Sequence, residues 1–207
     1  AQDAVDPRLD HTVAMEGKPF KYDTELMIEN GNAWARAPAV YGNFISMKEL
    51  EHPDCECRMQ NGPFPVFSMN TVLIRFADVL LWKAEALIEL NRLDDAVQII
   101  NRLRSRAMNS TAMLNNASIY NIGLYTAFAS QEQARQALRM ERRLELGLEG
   151  HRFFDAKRRN LPITRLAVDA QGTALTLPAG NFRFILPIPN PEIQANPLIV
   201  QNPGYTN

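Results

Sequence analysis

The stretch from Phe76 to Ala107 reads FADVLLWKAEALIELNRLDDAVQIINRLRSRA, and its spacing decides the fold. Phe76, Leu80, Ala84, Leu87 and Ile88 recur at i, i+4, i+8, i+11 and i+12, which predicts an apolar helical stripe. Ala77, Leu81 and Trp82 widen it, so cover on more than one side is expected. Asn91 suits the left-handed residue that closes a helix. Leu93, Ala96, Val97, Ile100, Leu103 and Ala107 form a second stripe in steps of three and four. So short a junction forces the two helices to pack antiparallel as a hairpin. Small residues at Ala84, Ala86 and Ala96 permit close approach. The unit has the size of one tetratricopeptide repeat, roughly 34 residues.

Upstream, residues 1–69 hold no sustained helical period. Pro7, Pro19, Pro38, Pro53, Pro63 and Pro65 break them, with Gly17, Gly31, Gly42 and Gly62 between. Loops with short strands or helical turns are expected there, laid over the more regular helices. Downstream, residues 109–130 are polar, with Tyr120, Tyr125 and Phe128 spread through a loop. Ser130, with Gln133 at the third helical position, forms a capping box for a helix expected to run through Glu149. Ala137, Met140, Leu144 and Leu148 make its apolar stripe, and Gly150 ends or bends it. Phe153 and Phe154 anchor a short helix closed by Asn160-Leu161-Pro162. In the tail, Thr176, Leu177 and the run Phe182 to Leu186 fit short strands or extended cover. Pro187, Pro189, Pro191 and Pro197 predict a stiff, extended wrap. The expected class is mainly α: a tetratricopeptide-like helix hairpin plus further helices, with long irregular loops and an extended C-terminal wrap.

Composition excludes several functions. With 46% apolar and 22% charged residues among 207, the chain has the makings of one core and not of a disordered segment. A net charge of −1 gives no basic field for nucleic acid. The longest apolar run, Val79 to Leu90, is cut by Lys83, Glu85 and Glu89 and falls short of the roughly 20 residues a membrane helix needs. Cys55 and Cys57 are no disulfide framework, and on an extended chain a bridge across two positions is strained; free thiols or a partner-facing pair are expected. With His52 they supply too few ligands for a zinc site, and no loop has EF-hand spacing for calcium. The chain opens Ala-Gln-Asp-Ala with no leader signature, which reads as a processed start or a fragment.

Two constellations invite a chemical reading. Glu141, Glu145 and Glu149 share a helix face, as a glycosidase pair about 5 to 9 Å apart requires. Arginine surrounds them, however, at 139, 142, 143 and 152, and an ion-paired carboxylate is a poor general acid. The expected role is a structural charge network of Arg142, Glu145, Glu149, Arg152 and Asp155. His11, His52 and His151 stand singly, and no phosphate loop, nucleophile elbow or dinucleotide fingerprint occurs. No catalytic residue, metal or cofactor is therefore assigned. The second constellation is aromatic. Trp34, Arg36, Tyr41, Asn43 and Phe44 combine rings, amides and a guanidinium, the groups that hold sugars, and are the ligand-binding candidates. The alternative is that these rings, with Phe64 and Phe67, only anchor a proline-rich cover.

Six segments, in order and across almost the whole chain, resemble the SusD/RagB family. They are Asp6-Pro7-Arg8-Leu9; the run Ile74 to Leu87; Ala96, Ile100, Asn101 and Arg104 to Ala107; Glu141 to Leu146; Glu149 to Asp155; and Leu186 to Tyr205. The resemblance implies a single C-terminal domain over 1–207, with 1–69 irregular, 70–160 the helical core and 161–207 an extended tail. It implies a surface-exposed outer-membrane lipoprotein of Bacteroidota, acting without catalysis in polysaccharide utilisation. Its ligand would be a glycan and its partner a TonB-dependent transporter, with membrane attachment through a lipid anchor absent from this chain. The shared motifs contain none of the family's ligand contacts. Two other readings stand beside it: a protein-binding tetratricopeptide-type scaffold, and a glycoside hydrolase fragment.

Overall fold

The structure is a computed structural model that describes residues 3–29, 38, 42–115, 117–168 and 174–205. The chain divides into two compact units, residues 1–149 and 150–207.

The first unit begins with a short helix, Arg8–Thr12 (α1), which leads into Val13–Ala14 (β1). Pro19–Phe20 (β2) pairs antiparallel with Asp23–Met27 (β3), and β1 pairs with Ile45–Ser46 (β4). Ala14, Phe20, Ile28 and Met47 bury together as a satellite core. The proline-broken segment thus has packing of its own and is more than a cover. Arg58–Asn61 (β5) and Phe64–Phe67 (β6) form an antiparallel hairpin with mostly exposed side chains. Just before it, Cys55 and Cys57 are joined by a disulfide, against the expectation of free thiols. The chain is not extended there. The Arg58 amide donates to the Cys55 carbonyl at 2.9 Å, and this turn brings the two Cα atoms to 5.1 Å, within disulfide reach.

The helix hairpin is present as Phe76–Glu89 (α2) and Leu93–Asn109 (α3). Asn91 takes the left-handed conformation at φ +56°. The Arg92 amide donates to Leu87 and the Asn91 amide to Ile88, at 2.8 and 2.9 Å, so the last carbonyls of α2 are satisfied in a Schellman closure. Leu81, Ile88 and Ile100 are fully buried, each stabilising by about 1.5–3 kcal/mol through transfer from water. Gln131–Glu145 (α4) packs Ala134, Ala137 and Leu138 against both helices. Ser130 caps it, its Oγ accepting from the Gln133 amide at 3.1 Å.

Four side chains depart from their stripes. Trp82 is 45% exposed, because it follows buried Leu81 by about 100° of helix turn and leaves the covered arc. Phe76, at the first position of α2, is 64% exposed. On α4 the buried face is Ala134, Ala137, Leu138, Glu141, Arg142 and Glu145, while Met140 and Leu148 are exposed. The helix also ends at Glu145, earlier than expected; Leu148 and Gly150 lie beyond it with φ of +66° and +81°.

In the second unit, His151–Arg158 (α5) buries Ala156 and Asp155, with Phe153 half-buried and Phe154 exposed. Ile163–Val168 (β7) pairs antiparallel with Ala174–Leu177 (β8). Phe182–Phe184 is a 3-10 turn rather than a strand, because the Asn181 carboxamide accepts from the Arg183 amide at 3.0 Å and starts a helical turn. The wrap is likewise interrupted by a short helix, Asn190–Ala195 (α6), since proline suits a first helical turn. Phe184 is buried with its ring 5.5 Å from that of Phe153, and the Tyr205 hydroxyl donates to the Ile185 carbonyl at 2.9 Å.

Candidate functional site

The ionic face of α4 organises the first unit. Glu141 is fully buried; its Oε1 accepts from Arg8 Nη1 at 2.5 Å and its Oε2 from Arg104 Nη1 at 3.0 Å. One turn on, Glu145 Oε1 accepts from Arg75 at 3.1 Å and from Arg106 at 2.7 Å. Arg75 also grips Glu149 through two donors, at 2.8 and 2.9 Å, and Lys48 reaches the same carboxylate. Arg8 turns its other edge to Asp6 in a bidentate pair at 2.8 and 2.9 Å. Beside this hub, Arg142 donates to Asp78 at 2.9 Å, with both groups buried. The cations that meet Glu145 and Glu149 therefore come from α1, α3, the residue that precedes α2 and the loop at Lys48, and Arg142 serves Asp78.

Burial opposes ionisation of Glu145 and Glu149. Hydrogen bonds from Arg106 and Arg75 to the first, and from Arg75 and Lys48 to the second, outweigh it and hold both carboxyls below the usual range. Carboxylates held ionised in this way have no proton to donate, so these two act as clamps. Asp155 lies in the second unit, buried and accepting from Arg158 at 3.0 Å, and Arg152 is exposed on α5.

Alongside α3 lies a cleft of about 520 Å³. Met108, Thr111 and Ala112 form one wall, Ser118, Tyr120, Asn121 and Ile122 the other, with Pro7 between. The second wall is held by strand-like pairing: the Val5 amide donates to Ile119 at 2.9 Å and the Asn121 amide to Val5 at 3.1 Å. The lining carries no ionised side chain. The Tyr120 hydroxyl donates to buried Asp10 Oδ2 at 2.6 Å; burial and that carboxylate push its pKa up to about 12, so the phenol stays neutral. Asp10 Oδ1 is buried without a hydrogen-bond partner among the described residues. Lys18 donates to Ser118 Oγ at 2.7 Å, and His11 Nε2 lies 2.7 Å from Ser110 Oγ. Burial, then nearby Arg106, depress the His11 pKa and favour the neutral ring. A ring, hydroxyls, an amide and apolar surface suit a neutral, hydroxyl-rich ligand.

Of the sequence candidates, Trp34, Arg36 and Tyr41 lie outside the described residues. Asn43 and Phe44 are exposed, Phe44 at 70%, and neither lines the cleft. The cleft residues carry only a weak signal: Tyr120 between polar Ser118 and Asn121 in an otherwise structureless loop. No group of three or more His, Cys, Asp or Glu among the described residues could hold a metal ion, and no helix there is long and apolar enough to cross a membrane.

The sequence profile of the SusD family matches residues 2–205. The chain belongs to the SusD family. SusD-like protein P2 of Formosa agariphila is 34% identical over 144 residues, which cover 67% of this chain and 26% of that protein. SusD-like protein P25 of the same organism is 30% identical over 168 residues, covering 80% of this chain and 29% of that one. The SusD-family chain thus spans between a quarter and three tenths of the length of these curated relatives. A crystal structure of a SusD-like protein from Bacteroides fragilis superposes with a TM-score of 0.61 at 20% identity, covering 97% of this chain and 39% of that one. That likeness supports the mainly α, tetratricopeptide-like fold.

Proposed function

We propose that this SusD-family chain binds glycan, as polysaccharide or oligosaccharide, without catalysis, at the cell surface, for uptake through a TonB-dependent outer-membrane transporter. In this reading it works as a surface-exposed lipoprotein of the outer membrane. The observation that carries the proposal is the family match over residues 2–205, a family in which glycan capture is the expected role. The cleft between α3 and the Ser118–Ile122 segment offers a place for a sugar, since its lining is neutral, hydroxyl-bearing and partly aromatic. The clamped state of Glu145 and Glu149 supports binding over hydrolysis.

Affinity electrophoresis of the chain through a panel of immobilised polysaccharides tests this. Retardation by at least one glycan, with no reducing ends released, is expected. Asn121→Ala removes one neutral hydrogen-bonding group from an exposed position and should weaken binding about fivefold at an unchanged melting temperature. Release of reducing ends would overturn the binding-only reading. Trp34→Ala probes the aromatic segment: lost retardation with unchanged melting puts the ligand there, whereas a lowered melting temperature makes the ring a packing residue.

A further inference from the structure

We infer that the glycan taken by this chain is acidic, bearing uronate or sulfate groups, and that Arg102, Arg106 and Phe76 hold it; this rests on the glycan reading above. In the hub five cations, Arg8, Lys48, Arg75, Arg104 and Arg106, meet four carboxylates, Asp6, Glu141, Glu145 and Glu149, leaving one positive charge in excess. The excess sits where water reaches it. The Arg106 side chain is 55% exposed and uses only Nη2, toward Glu145; its Nε and Nη1 make no hydrogen bond among the described residues.

Arg102 adds a second cation one helical turn earlier on the same face of α3. It pairs with no carboxylate among the described residues, and its guanidinium lies 5.5 Å from the centre of the Phe76 ring, which is itself 64% exposed. Arg75, next to Phe76, shares Glu145 Oε1 with Arg106, so the ring and the exposed arginines border one surface. The chain as a whole carries −1, so this is a local field and not general basicity. A guanidinium fork matches a carboxylate or sulfate through paired donors. An exposed ring beside it covers the apolar face of a sugar. The neutral cleft lining offers such a charge nothing, and this surface offers it two exposed guanidinium groups.

The test measures binding of the 207-residue chain to polygalacturonate against its methyl ester, and to dextran sulfate against dextran. At least one acidic probe should bind about tenfold tighter than its neutral counterpart, with the gap closing as salt rises toward 1 M. Arg102→Gln, at an exposed position outside every ion pair among the described residues, should cost about tenfold for that acidic probe and leave the neutral one unchanged. If neutral glycans bind but neither acidic probe does better, the acidic inference fails and glycan binding stands. If no glycan of either kind binds, both fail. Equal affinity for a DNA duplex would also overturn the inference, by making the patch a general polyanion surface.

Discussion

Glu145 receives guanidinium groups from three different parts of the chain, and its removal is the most damaging single change predicted in the hub. Glu145→Ala leaves Arg75 and Arg106 without their shared acceptor and should cost about 3–5 kcal/mol in urea denaturation, the range for breaking a buried ion pair. Arg142→Ala removes the guanidinium that donates to the buried Asp78 carboxylate and should cost a similar amount, about 3 kcal/mol. An unchanged denaturation midpoint in either variant would show that these charges add nothing to the fold. Acidity gives a second reading of the same residues. The Asp6, Glu145 and Glu149 carboxyls are held below their unfolded values, so their contribution is complete above about pH 4.5 and drains away as pH falls further. His11, also depressed, has its full share of stability above about pH 6.5 and loses it on the way down. Melting temperature plotted against pH should therefore sag gently below pH 6.5 and steeply below 4.5. The glutamates' common face and their need for arginine were legible in the sequence, at i, i+4 and i+8. The identity of the arginines was not, because Arg8 meets Glu141 from 133 positions away.

Helix α4 shows how the code misleads when a buried face is ionic. Hydropathy selects Met140, Leu144 and Leu148, but the arc turned inward is the one bearing Glu141, Arg142 and Glu145, whose partners wait on other elements. Leu138→Ala should accordingly cost about 2–5 kcal/mol and Met140→Ala within about 0.5, read by thermal denaturation. Equal losses would restore the apolar stripe. Helices α2 and α3 were legible because their covered faces are apolar apart from Asp78. The closure between them was legible too, since few residue types tolerate the left-handed geometry of Asn91. Asn91→Ala should cost about 1 kcal/mol, whereas Asn91→Gly should be close to neutral. The Cys55–Cys57 bridge was missed because the local turn was unread. Under non-reducing conditions the protein should show no reactive thiol, and after reduction two.

At the scale of the molecule, the hub and the family motifs coincide except at Lys48. Asp6, Arg8, Arg75, Asp78, Arg104, Arg106, Glu141, Arg142, Glu145 and Glu149 all fall in segments that carried the resemblance to the SusD/RagB family, and here they are the residues that pair. Those motifs therefore specify how the frame is bolted, which is why they announce the fold. The groups proposed for the ligand straddle them: Phe76 and Arg106 lie within the motifs, Arg102 and Tyr120 outside. One consequence concerns time. Arg8 and Lys48 leave the ribosome long before the carboxylates they will meet, the former separated from Glu145 by 137 positions. Native closure of the first unit must wait for nearly all of it to be made, and contacts of such long range slow a folding reaction. A nascent chain stalled before Glu141 should stay open to protease at α1, and one stalled after Glu149 should resist it.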